Sequence, residues 1–136
     1  MADSEAHQGS CLCGAVRYTV RGPLSPVWGC HCTQCRKTSG HFVAATNADN
    51  ADFDIEDDGA LTWFSSSETA ERGFCNKCGS SLFWRQKQGE RTSIMAGTLD
   101  GATGVSLEGH IFTADKGDYY TIPDSDRQYP AWPERI

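Results

Sequence analysis

The sequence predicts a single, mainly β domain, and three observations carry that prediction. Short runs alternate apolar with polar residues, most clearly Val16, Tyr18 and Val20 against Arg17 and Thr19. No stretch keeps a long apolar period of 3.6 residues, so no long core helix is expected. The runs are separated by turn formers, with 14 glycines and 5 prolines among 136 residues. That length supports one hydrophobic core and is too short for two.

Along the chain, Met1 to Gln8 is polar and reads as a flexible leader, leaving residues 9–136 as the domain. Gly9-Ser10-Cys11-Leu12-Cys13-Gly14 is a tight turn, and Ala15 to Val20 is a half-buried strand ended by Gly22-Pro23. Pro26 to Cys30 leads into Cys30-His31-Cys32-Thr33-Gln34-Cys35-Arg36-Lys37. A short helix is expected over Thr33 to Ser39, closed by Gly40. His41 to Thr46 is apolar enough for a buried strand, and Asn47 to Asp52 is a polar turn. Phe53 and Ile55, then Leu61 to Phe64, begin further strands, with a polar loop over Ser65 to Glu71. Phe74-Cys75-Asn76-Lys77-Cys78-Gly79 is a second tight turn running into Leu82-Phe83-Trp84. Thr92 to Gly97 and Leu107 to Thr113 complete the strands. The aromatic-rich tail, Asp115 to Ile136, is expected to lie across the body, since aromatics left in water are costly.

Composition narrows the function classes. Twelve basic against 18 acidic residues give a formal charge of −6, which offers no global attraction to nucleic acid or an anionic membrane. No apolar run approaches the roughly 18–20 residues that span a bilayer. The N-terminus lacks the apolar segment of a signal peptide, so a cytoplasmic protein with reduced thiols is expected.

Seven cysteines stand in three groups: Cys11 and Cys13; Cys30, Cys32 and Cys35; Cys75 and Cys78. An odd number in such tight spacing argues for metal ligation over a disulfide framework. Tetrahedral zinc holds each sulfur at about 2.3 Å, and cysteines one or two residues apart reach it only through a sharp backbone turn. Gly14 and Gly79, each right after the second cysteine of a pair, suit that turn because glycine adopts positive φ without strain. Seven thiolates divide into four that close one site and three that leave a second site open. Spacing alone does not decide whether Cys75 and Cys78 join Cys11 and Cys13 or Cys30 and Cys32.

An open three-thiolate zinc is the usual mark of a catalytic site. So much donated charge makes it a poor source of hydroxide and a better partner for a soft ligand. Chemistry between a small thiol and an electrophile follows. If His31 or a carboxylate filled the fourth position, the site would be a second structural staple instead.

Gly9-Ser10-Cys11-x-Cys13-Gly14, Cys30-His31-Cys32-x-x-Cys35-Arg36-Lys37-x-Ser39-Gly40 and Phe74-Cys75-x-x-Cys78-Gly79 together resemble the glutathione-dependent formaldehyde-activating enzyme family, related to centromere protein V. The resemblance runs from Gly9 to about His110-Ile111-Phe112. It implies an Mss4-like β-tent of two small antiparallel sheet layers stapled by zinc. It assigns Cys11, Cys13, Cys75 and Cys78 to a structural zinc, and Cys30, Cys32 and Cys35 to a catalytic one. The implied activity is of the carbon–sulfur lyase type, joining glutathione as co-substrate to formaldehyde or a related electrophile, with the glutathione sulfur entering the open position. Arg36 and Lys37 are the candidates to hold the glutathione carboxylates, with Arg72 and Arg85 behind them. Where the family's tail carries a tryptophan after an acidic residue, this chain has Asp118-Tyr119-Tyr120.

Other residues carry weaker signals. His41 follows Gly40 and is placed to act as a base beside the open site. His110 reads as structural, His7 as part of the leader, and Asp124 to Asp126 as a solvated turn. No phosphate-cradling loop, nucleophile elbow or dinucleotide fingerprint is present. The alternative to an enzyme is a non-catalytic zinc module whose surface binds another protein.

Overall fold

The computed structural model describes residues 6–133. Its strands are β1 (His7–Ser10), β2 (Arg17–Val20), β3 (Val27–Cys30), β4 (Val43–Asp49), β5 (Phe53–Glu56), β6 (Leu61–Ser65), β7 (Ala70–Cys75), β8 (Ser81–Gln86), β9 (Arg91–Met95), β10 (Leu107–Ile111) and β11 (Arg127–Gln128). Among the described residues one α-helix, α1, spans Thr33–Ser39. The domain is mainly β, as the alternating runs predict, and has two sheets, as the family resemblance implies.

The smaller sheet has three strands in the order β1-β2-β5, all antiparallel. The larger has eight, in the order β11-β10-β3-β4-β9-β8-β7-β6. It is antiparallel from β3 to β6, but β10 runs parallel to both β3 and β11. Alternation in β2 places Val16, Tyr18 and Val20 in the space between the sheets, each 2% exposed or less. There they meet Leu82, Phe83 and Ile94 from the larger sheet. Tyr18, Phe53 and Phe83 pack with ring centroids 5.3–6.0 Å apart, within the favoured range for tilted and edge-on aromatic pairs. The Tyr18 hydroxyl is bonded to Thr98 Oγ1 at 2.7 Å, so its burial leaves no polar group unpaired.

Four elements differ from expectation. The polar turn expected over Asn47 to Asp52 begins later, because β4 continues to Asp49 and pairs there with β9. Strand β1 begins at His7, inside the stretch read as leader, because its backbone pairs with β2 from His7↔Val20 to Ser10↔Arg17; residues 1–5 lie outside the described residues. The loop expected over Ser65 to Glu71 ends early, and β7 starts at Ala70 between β6 and β8. The tail does cross the body along β10, with the Tyr129 amide donating to the His110 carbonyl at 3.0 Å. Its aromatics are only partly covered, however. Tyr129 meets Trp28 at 6.0 Å, while Tyr119 and Trp132 stay 61% and 62% exposed.

Candidate functional site

Two chain turns, far apart in sequence, bring four sulfurs together at one end of the core. Cys11 and Cys13 lie in the β1–β2 connection, Cys75 ends β7, and Cys78 lies in the turn from β7 to β8. Gly14 and Gly79 have φ of 82° and 81°, the left-handed conformation the two turns demand. Cys11 Sγ lies 3.7 Å from Cys13 Sγ, and Cys13 Sγ lies 3.8 Å from Cys75 Sγ. Sulfurs at about 2.3 Å from one tetrahedral metal stand about 3.8 Å apart, so the donor set fits zinc. Backbone amides are turned toward the sulfurs, Val16 N–H to Cys11 at 3.3 Å and Lys77 N–H to Cys75 at 3.4 Å. The Ser80 hydroxyl, followed by the Ser80 amide, pushes the Cys78 thiol down to about 5.

The other three cysteines meet where β3 passes into α1. Their sulfurs lie within 4.8 Å of one another, and no fourth His, Cys, Asp or Glu joins them among the described residues. Cys32 is also the N-cap of α1, its sulfur accepting the Cys35 amide at 3.3 Å, and Gly40 closes the helix at φ 87°. The Cys30 thiol, then the Cys35 thiol and the amides of Cys35 and Gln34, all direct donors at Cys32 and push its pKa down to about 2. Cys35 is buried and the other two are half-buried, so the cluster lies just under the surface.

His31, between two of these cysteines, points away from them. It is fully buried, stacks on Phe42 at 4.4 Å and has both ring nitrogens engaged. Nε2 faces His110 Nδ1 at 2.9 Å, and Nδ1 faces the Tyr120 hydroxyl at 2.5 Å. His110 Nε2 in turn donates to Asp126 at 3.1 Å. A carboxylate only accepts, so this chain of bonds sets both tautomers: His31 donates from Nε2, and the Tyr120 hydroxyl donates to Nδ1. Burial above all pushes the His31 pKa down to about 4 and keeps the ring neutral. Asp126, read from sequence as part of a solvated turn, is thus the anchor of a buried network. Gly29 makes room for it, since a Cβ there would come within 2.9 Å of His110 Nδ1 and 3.0 Å of Phe42.

The basic residues separate by environment. Arg36 Nε donates to the Asp115 carbonyl at 3.1 Å, which leaves the rest of its guanidinium for a ligand. Lys37 is exposed on the last turn of α1. Arg85 is taken up by Glu71 at 2.8 Å and by the Trp63 ring, 3.7 Å beneath it. Arg72 reaches from β7 to the three-sulfur cluster, with Nη2 3.7 Å from Cys35 Sγ and 3.3 Å from Gln34 Oε1. The sequence ranks it only with Arg85, behind Arg36 and Lys37, because β7 and α1 meet only in the fold. His41 is exposed, with Nδ1 2.8 Å from the Tyr119 hydroxyl.

The family model described as glutathione-dependent formaldehyde-activating enzyme matches residues 6–115. The chain belongs to the glutathione-dependent formaldehyde-activating enzyme family. A Halomonas elongata protein, named provisionally for that activity, is 30% identical over 93% of this chain and 88% of its own. An uncharacterized lyase of Schizosaccharomyces pombe is 27% identical over 90% of each chain. The crystal structure of a Rhodobacter sphaeroides protein matches at a TM-score of 0.60 and 24% identity, covering 74% of this chain and 98% of the other. That structure supports the fold.

Proposed function

We propose that the protein is a zinc-dependent enzyme of the carbon–sulfur lyase type that joins a small thiol to an aldehyde, glutathione and formaldehyde being the pair its family description names. One observation carries the reading: three converging sulfurs lie near the surface without a fourth protein ligand among the described residues. His31, the nearest candidate for that role in sequence, has both nitrogens committed elsewhere. The four-sulfur cluster would hold a structural zinc. Zinc, if held by Cys30, Cys32 and Cys35, would supply positive charge that favours the thiolate form of an incoming thiol.

The protein's own residues bind and orient. The N-cap bond to Cys32 and the buried contacts of His31 fix the chain segment that carries the three sulfurs. Arg36 and Lys37, on the last turn of α1, are the cations for the two carboxylates of glutathione. In the reaction the thiol sulfur bonds to the carbonyl carbon, and the C=O π pair moves to oxygen. That oxygen takes the proton the thiol gave up, so a hydroxymethyl thioether forms with no change in oxidation state.

The test is a titration of cobalt-substituted protein with glutathione, followed by visible absorption. A saturable change in the d–d bands is expected, because the open site gains a fourth sulfur while the closed one is indifferent. If neither glutathione nor a smaller thiol changes the bands, both metals are structural and the catalytic reading falls.

A further inference from the structure

We propose that the groove beside Cys35 is the aldehyde subsite, shaped for an electrophile that carries an apolar substituent, with Arg72 receiving its carbonyl oxygen. The proposal rests on the thiol–aldehyde reading above and names the second substrate's class. The groove has a volume of about 220 Å³, and its walls combine the apolar Val43, Phe64, Phe74, Phe83 and Met95 with Thr38, Arg72 and Ser81. Three of its residues tie it to the three-sulfur cluster. Val43 pairs with Cys30 across β3 and β4. Thr38 bonds to the carbonyls of Gln34 and Cys35 within α1. Arg72 has Nη2 3.7 Å from Cys35 Sγ.

Formaldehyde has two heavy atoms and fills a volume comparable with the roughly 30 Å³ share of a water molecule. The groove is several times larger, yet smaller than the roughly 300–1,000 Å³ typical of sites for drug-sized ligands. It suits a short aliphatic or aromatic group. Its walls offer such a group apolar contact, and Phe64 stands at the rim 60% exposed, an apolar ring that a substituent would cover. The two carboxylates of glutathione belong outside, with Arg36 and Lys37 on the last turn of α1.

Arg72 gives the groove its polarity. Its Nε is buried and has no hydrogen-bond partner, although its other nitrogens reach Thr38, Gln34 and Cys35. A buried donor left unpaired carries a desolvation cost, so this guanidinium keeps one donor uncommitted beside the groove. As sulfur adds to the carbonyl carbon, negative charge grows on the oxygen. A fixed guanidinium then binds the transition state more strongly than the ground state.

Met95 supplies a reporter, since the chain has 2 methionines and the other is Met1. In zinc-loaded protein carrying ¹³C-methyl methionine, titration with butyramide, an unreactive carbonyl analogue, should shift the Met95 methyl resonance saturably. Acetamide should bind at least tenfold more weakly. Arg72→Leu should weaken butyramide at least tenfold with zinc content unchanged, and Phe64→Ala, at the exposed rim, severalfold. In turnover with one thiol, Met95→Trp should lower the ratio of kcat/KM for butanal over formaldehyde about tenfold. The proposal is overturned if butyramide leaves Met95 unmoved, binds no better than acetamide, or binds equally well without Arg72. The methyl titration needs no thiol. Absence of turnover with a normal Met95 response would therefore reject the catalytic reading alone, and turnover of formaldehyde without that response would reject the subsite alone.

Discussion

His31 sits between two cysteines of the open cluster and serves them from behind. Its ring bridges the tail to the site segment through Tyr120 on one side and through His110 and Asp126 on the other. Each bond in this series fixes the direction of the next, so removing a middle member strands a buried donor. His110→Phe deprives the His31 Nε2–H of its acceptor and should cost on the order of 1–3 kcal/mol. Asp126→Asn keeps an oxygen that can accept from His110 and should cost clearly less. Urea unfolding of the zinc-loaded proteins at one pH above neutrality measures both. Equal losses would mean that the Asp126 charge matters and not the pattern of donors and acceptors.

Helix α1 shows how one side chain serves local structure and chemistry together. Cys32 is its N-cap, and a serine oxygen fills that role as well as a thiol or better. Cys32→Ser should therefore keep α1 and the fold while removing one metal equivalent and abolishing thiol binding. Circular dichroism, metal analysis and the cobalt titration check the three parts. Loss of the fold would make this cluster structural. The helix was legible in the sequence because Gly40 punctuates it, as β2 was because three of its positions alternate with polar ones. Strands β1, β7 and β11 were not, since His-Gln-Gly-Ser, Ala-Glu-Arg-Gly-Phe-Cys and Arg-Gln lack that alternation. Neighbouring strands hold them in place. The cysteines were legible by spacing, whereas Arg72, Asp126 and Tyr120 reach the site or its support from distant segments. No local pattern ranked Arg72 above Arg85; only the fold shows one facing Cys35 and the other spent on Glu71 and Trp63.

At the scale of the whole molecule, two sheets share one core, and the four-sulfur cluster closes one end of it. Cys11 and Cys13 belong to the small sheet's first hairpin, while Cys75 and Cys78 belong to the large sheet. A metal there is a cross-link between layers, and Cys75, fully buried within the core cluster, is the ligand that ties it to the interior. Because the unfolded chain has no preformed site, metal binding at such a cluster adds directly to folding free energy. Cys75→Ser should therefore lose folded protein, in contrast to Cys32→Ser. Any folded fraction should exchange the backbone amides of β1 and β2 faster than those of β7 to β9, since the small sheet keeps only its apolar contacts with the larger one. Soluble yield, zinc stoichiometry and hydrogen exchange read the effect. A Cys75→Ser protein with normal yield and undiminished protection in β1 and β2 would show that the apolar core alone docks the sheets, and that the four sulfurs are not the staple.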